Sequence, residues 1–145
     1  MTYTNSMAQS GFGATLSIGP TPTPIGEVKS YGLNGQKWDT ADVTNFESLA
    51  KEFITTIRDN GTIDIEYNRV SQDAGQLLLE AAFTSGALTA FTIQLPKESG
   101  QTSQGDKFTF SGLVVSRDFT VDPTKATMGK AQVKVSNAIT YNEGS

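Results

Sequence analysis

Residues 62–68 alternate without error, with Ile63, Ile65 and Tyr67 at one parity and Asp64, Glu66 and Asn68 at the other. A period of two is that of a β-strand, and it predicts a sheet with one face in a core and the other against water or a partner. The period then lengthens. Ser71 or Asp73 supplies a side-chain acceptor for the free amides of a first turn, Ala74, Leu77, Leu78 and Ala81 follow at helical spacing, and Gly86 stops the pattern. This spacing predicts an amphipathic helix that packs Leu77, Leu78, Ala81 and part of Phe83 against the sheet.

Other stretches repeat the strand signal. Phe12, Ala14, Leu16 and Ile18 alternate with Gly13, Thr15 and Ser17, and the proline run after Gly19 cannot donate a ladder of hydrogen bonds, which makes it a connection or an edge. Residues 25–33 read as a second strand closed by Asn34-Gly35. Residues 35–52 carry conflicting signals: Phe46, Leu49 and Phe53 are spaced as in a helix, while Thr40, Asp42, Thr44 and Asn45 favour turns, so the segment reads as a long loop with at most one helical turn. Residues 53–57 are β-branched and aromatic, and Asp59-Asn60-Gly61 predicts a hairpin joining them to Ile63; a helix over 46–57 is the alternative. Phe91, Ile93 and Leu95 mark another strand before Pro96, and 97–105 is a polar loop by composition. Residues 107–121 form the longest strand candidate, whose apolar parity switches from Phe108 and Phe110 to Leu113, Val115, Phe119 and Val121, with Gly112 as the place for a bulge. Val133, Val135 and Ile139 face inward on a last strand. Six or seven strands and one helix predict a mainly β protein, an antiparallel β-sandwich or barrel with a flanking α-helix, as one domain over 1–145. Residues 1–10 read as a frayed or partner-ordered arm.

Composition removes most chemistry. The 145 residues contain no cysteine and no histidine, which excludes disulfides, thiolate metal sites, histidine ligands and every triad built on imidazole. A net charge of -4 argues against a protein that grips nucleic acid through phosphate neutralisation. Residues 1–10 have no cationic start and no apolar run, and no window approaches the ~20 apolar residues of a membrane span; the expectation is a soluble protein made in a cytosol. Gly11-Phe12-Gly13 lacks the third glycine and the helix of a dinucleotide fingerprint, and Asp59, Asn60 and Asp64 do not match a calcium loop. Asp64 with Glu66, or Asp118 with Asp122, are carboxylate pairs that could be weighed for acid-base work, but alternate residues on an exposed strand read as solvated side chains. No catalytic, cofactor-binding or metal-binding residue is assigned and no cofactor is expected. Trp38, beside Lys37 and Asp39, reads as an interface anchor or as core.

Taken in order, these signals resemble the major tail tube proteins of long non-contractile-tailed (siphovirus) bacteriophages, the lambda-like tail tube family. The resemblance is carried by Ala41-Asp42-Val43-Thr44-Asn45 ahead of Lys51-Glu52-Phe53-Ile54, by Asp59-Asn60-Gly61-Thr62-Ile63-Asp64-Ile65, and by Asp73-Ala74-Gly75-Gln76-Leu77-Leu78. Phe108-Thr109-Phe110-Ser111-Gly112 and Lys130-Ala131-Gln132-Val133-Lys134-Val135-Ser136 complete it. The resemblance implies a structural, non-enzymatic homo-oligomer of hexameric rings stacked into a hollow conduit, through which DNA passes without specific binding as the genome is ejected into the host. It implies tape measure, distal tail and tail terminator proteins as partners, no direct membrane insertion, assembly in the host cytoplasm and a place in the virion tail. Contractile-phage inner tubes and bacterial secretion tubes share this design. On this reading Asp64, Glu66 and Asn68 line the lumen, and 35–52, with Trp38, Asp42, Val43, Phe46 and Leu49, reaches an adjacent ring together with the amino-terminal arm. The rival from another class is a carbohydrate- or protein-binding β-sandwich.

Overall fold

A computed structural model of the chain describes residues 13–97, 101–102 and 104–144. The expectations for residues 1–10 and for Phe12, and part of that for the 97–105 loop, lie outside the described residues. The strands run β1 Thr15–Ile18, β2 Thr23–Pro24, β3 Val28–Asn34, β4 Lys37–Asp42, β5 Phe53–Asp59 and β6 Thr62–Asn68; after helix α1, Ala74–Ser85, come β7 Thr89–Gln94, β8 Lys107–Thr120 and β9 Met128–Asn142. Seven of them pair antiparallel in the order β2-β1-β7-β8-β9-β6-β3, and β4 pairs with β5 in a separate ribbon. The fold is mainly β, a sheet curled into a half-barrel with one helix. The short β2 shows that the proline run is an edge.

The buried parity of β6 is the one expected, with Ile63, Ile65 and Tyr67 all nearly inaccessible. They join Leu16, Ile18, Phe91, Phe110, Val114, Ala131, Val133 and Val135 in one core, and Phe91 stacks on Phe110 with ring centroids 5.5 Å apart. Asp73 caps the helix, its side chain accepting from the Gln76 amide, and Gly86 closes it in the left-handed region at φ 67.

The helix turns a different stripe to the core from the one expected. Gly75, Gln76, Leu79 and Ala82 are buried, whereas Leu77, Leu78, Ala81 and Phe83 lie on the exposed side. Close approach decides the face. A Cβ at Gly75 would run into the carbonyl of Pro24 and the Cα of Ile25, so the glycine and Ala82 let the helix lie deep enough to seat Leu79 at 0% exposure. Gln76, 3% exposed, then ties the helix to two loops: Nε2 donates to the carbonyls of Gly26 at 2.8 Å and Asn68 at 2.9 Å, and Oε1 accepts from the Val70 amide at 2.9 Å. Asp73 Oδ2 also accepts from the Gly26 amide at 3.0 Å.

Three further expectations are corrected. Residues 53–59 do not form a hairpin with β6; they pair with β4, so β3–β4 and β5–β6 run as two long strands side by side. Asp59-Asn60-Gly61 bends the chain without reversing it: Asp59 Oδ1 accepts from the Gly61 amide at 2.8 Å, and Gly61 sits at φ 87 where a Cβ would strike the Asn34 carbonyl. The long loop shrinks to 43–52, because 37–42 is strand. In β8 the buried parity continues through Phe110, Gly112 and Val114, and register shifts fall between Thr109 and Ser111 and between Val114 and Ser116. Leu113 is therefore only half-buried, and Val115, Phe119 and Val121 are exposed. Gly112 is fixed by packing, since a Cβ there would meet Val133 Cγ1 at 2.6 Å.

Candidate assembly surfaces

The paired β4 and β5 make an arm that projects from the half-barrel with almost every residue exposed. Its strands are polar and apolar in no fixed alternation, because neither face is buried. Trp38 faces Arg58 across the ribbon, with the guanidinium 5.6 Å from the ring centroid, so the tryptophan is a half-exposed part of a strand. Val43, Phe46, Leu49, Phe53, Ile54 and Ile57 are exposed as well. The tip keeps its shape by local hydrogen bonds: Thr44 N to Asp42 Oδ1, Glu47 N to Asn45 Oδ1, Asn45 N to Ser48 Oγ and Ser48 Oγ to Glu52 Oε2. The two bonds from Thr44 hold the Asp42 carboxyl below its usual range.

At the root of the arm Gly35 and Gly61 both lie in the left-handed region. Lys134 Nζ reaches Asp59 Oδ1 at 3.0 Å, the Val135 amide donates to the Gly61 carbonyl, and buried Asn60 donates from Nδ2 to the Asn137 carbonyl while its Oδ1 finds no partner. The Gly61 amide first, and Lys134 second, depress the Asp59 pKa.

The second surface is the outer face of β3, β6, β9 and β8. Asp64 and Glu66 stand there with Asn68, as the alternation requires, and the register sets Glu66 opposite Lys130, Asp64 opposite Gln132 and Asp118 opposite Lys130. Gln132 Nε2 and Asn34 Nδ2 both donate to Asp64, each at 3.1 Å. Three carboxylates thus share the face with Lys130 and Lys134, so its charge is close to balanced, a feature invisible before the strands were registered. The third surface is the pair of sheet edges, β2 and β3, whose outer backbone groups have no strand beside them among the described residues. Among the described residues no group of three or more Asp and Glu is placed to hold a metal.

No protein-family model and no curated protein matches the chain. Solved structures do. A chain from the virion of a native gene transfer agent particle superposes with TM-score 0.74 at 15% identity, covering 93% of this chain and 99% of that one. The SPP1 tail tube gives TM-score 0.70 at 12% identity over 90% of this chain and 76% of the other. Hcp1 from Flavobacterium johnsoniae gives 0.52 at 14% identity, over 90% and 95%. At these identities the likeness is one of fold. The neighbours come from tails and tubes of phage-like particles and from contractile injection systems.

Proposed function

We propose that the chain is the structural subunit of a phage tail tube, closing into six-membered rings that stack into a hollow conduit for a genome leaving the virion. The observation that carries the reading is the pairing of a fold shared over nine-tenths of the chain with tail and tube proteins with an arm that exposes Phe46, Leu49, Phe53, Ile54 and Ile57. The open edges at β2 and β3 supply the means of lateral closure, since a ring of paired strands leaves no edge. Conduit-type subunits need no catalytic residue. Tape measure, distal tail and tail terminator proteins are the partners such a tube meets, and the resemblance of the sequence motifs favours a non-contractile tail over a contractile one. A carbohydrate-binding sandwich is less well supported, because the exposed aromatics are scattered: Trp38, Phe46 and Phe53 ride on the arm, Phe83 and Phe119 meet around Arg117, and Tyr141 lies near the end of β9. Negative-stain microscopy of the concentrated protein, and of virions that carry it, tests the reading: six-fold rings or tubes are expected, and their absence from both overturns it.

The lumen is assigned to the face of Asp64, Glu66 and Asn68. Its surplus of carboxylates over lysines is small, and hydrogen bonds hold Asp64 in place, so DNA meets no unbalanced cationic row on which to settle. Asp64→Lys with Glu66→Lys converts that face to a cationic one. Tubes are expected to assemble while ejection slows, most at low salt where screening is weak; ejection at the wild-type rate in low salt places the lumen elsewhere.

A further inference from the structure

The arm leaves the half-barrel at one end of β6, and a second exposed patch lies at the other end of the same strand, about 23 Å away for seven residues. There Arg69 and Arg117 share a single carboxylate, that of Glu80, at 3.5 and 3.8 Å. Arg69 lies 5.2 Å from the ring centroid of Phe119, and Arg117 lies 4.7 Å from Phe119 and 5.4 Å from Phe83. Phe83 and Phe119 are both partly exposed. Two guanidiniums facing one carboxylate leave an uncompensated positive charge in an apolar frame.

The arm tip carries the complement. Phe46 and Leu49 are 110% and 105% exposed, so nothing among the described residues of their own subunit covers them. Glu47 lies between them. The carboxylates of Asp42 and Glu52 are engaged within the tip, whereas that of Glu47 has no ion pair or hydrogen bond among the described residues. Because local hydrogen bonds already shape this turn, docking it costs less ordering than a free loop would.

We propose that the arm tip of one copy docks on the Arg69–Glu80–Arg117 patch of the next, with Phe46 and Leu49 covering Phe83 and Phe119 and with Glu47 supplying the second carboxylate. The proposal rests on the reading of the arm as an inter-subunit element and names the surface that receives it. Donor and acceptor at opposite ends of β6 make the contact head-to-tail, and a heterologous contact of this kind repeats along one direction, as stacking requires.

The chain has no cysteine, so a disulfide between copies must come from engineered residues. Leu49→Cys and Phe83→Cys, mixed and oxidised in the full-length protein, are expected to give a cross-linked dimer that neither variant gives alone. Glu47→Arg and Arg117→Glu are each expected to weaken association at least about tenfold, and the two combined to restore it. Absence of the cross-link, or of recovery in the double variant, overturns the proposal. The two readings fail separately. Tubes that form without the cross-link leave the conduit standing and refute this docking surface, whereas cross-linked pairs without rings or tubes support the surface and refute the conduit.

Discussion

Gln76 offers the sharpest test of how the helix is held. Gln76→Leu keeps the volume and removes every polar contact: two from Nε2, to the carbonyls of Gly26 and Asn68, and one to Oε1, from the Val70 amide. The side chain is 3% exposed, so water has little access to the groups left behind. Each unsatisfied buried backbone group costs about 1–3 kcal/mol, and three such groups, discounted for relaxation of the two loops, give a loss of ~3–6 kcal/mol. At roughly 3 °C per kcal/mol for a chain of this size, the melting temperature falls by ~9–18 °C. Urea denaturation followed by circular dichroism should show the midpoint falling at constant slope, since the folded and unfolded surfaces barely change. A shift under ~2 °C would mean that the loops, not Gln76, position the helix, and the clamp would have to be abandoned.

Leu79→Ala should cost about 2–5 kcal/mol, whereas Leu77→Ala on the exposed side should cost under ~1 kcal/mol, and equal melting temperatures would contradict the orientation of the helix. Gly75→Ala should destabilise by ~1–3 kcal/mol despite the better helix propensity of alanine, because its Cβ has no room beside Pro24 and Ile25; a gain in stability would refute the close approach. The Gly144 amide, then the Tyr141 hydroxyl, hold the Asp106 pKa below its usual value, as the Gly61 amide and Lys134 do for Asp59. A depressed folded pKa stabilises above the unfolded value near 4 and is lost as pH falls through the folded one, so the melting temperature should drop on acidification below about pH 4. Asp106→Asn should flatten that acid limb, and a limb of unchanged steepness would exclude Asp106 as a cause.

What could be read from the chain follows from what is buried. β6 was legible because one of its faces lies in the core, and the helix was legible in extent because its ends carry their own signals, Asp73 and Gly86. The face of the helix was not. Three successive leucines at 77–79 suit several stripes, and the choice among them was made by a glycine, whose missing side chain leaves no hydrophobic mark. The arm escaped for the opposite reason: with both faces in solvent, no alternation was selected, and the Asn-Gly pair that marks a reversal elsewhere here bends a strand. β8 misled where Leu113 and Val115 suggested a parity switch two residues before the register shifts at Val114. The exposed apolar surfaces were legible only in part. Phe46 and Leu49 stood out as too apolar for an idle connection, whereas Arg69, Glu80 and Arg117 meet only once β6, α1 and β8 are folded together.

The arm also sets where order should change on assembly. A lone two-stranded ribbon is marginal in water, and among the described residues this one has no third strand and no core beneath it. It joins the half-barrel through Gly35 and Gly61, both in the left-handed region, where the chain bends. Its amides in β4 and β5 should therefore exchange by local opening in the free subunit, while those of β6, β8 and β9 exchange only through global unfolding. Seating the tip against another copy would add the apolar contacts that the ribbon lacks, so protection in 37–59 should rise upon tube formation far more than protection in β6 does. Hydrogen exchange measured on subunits and on tubes decides the matter. Equal protection of the arm in both states would mean that it carries its own stability, and the case for it as the element that stacks one ring on the next would fail.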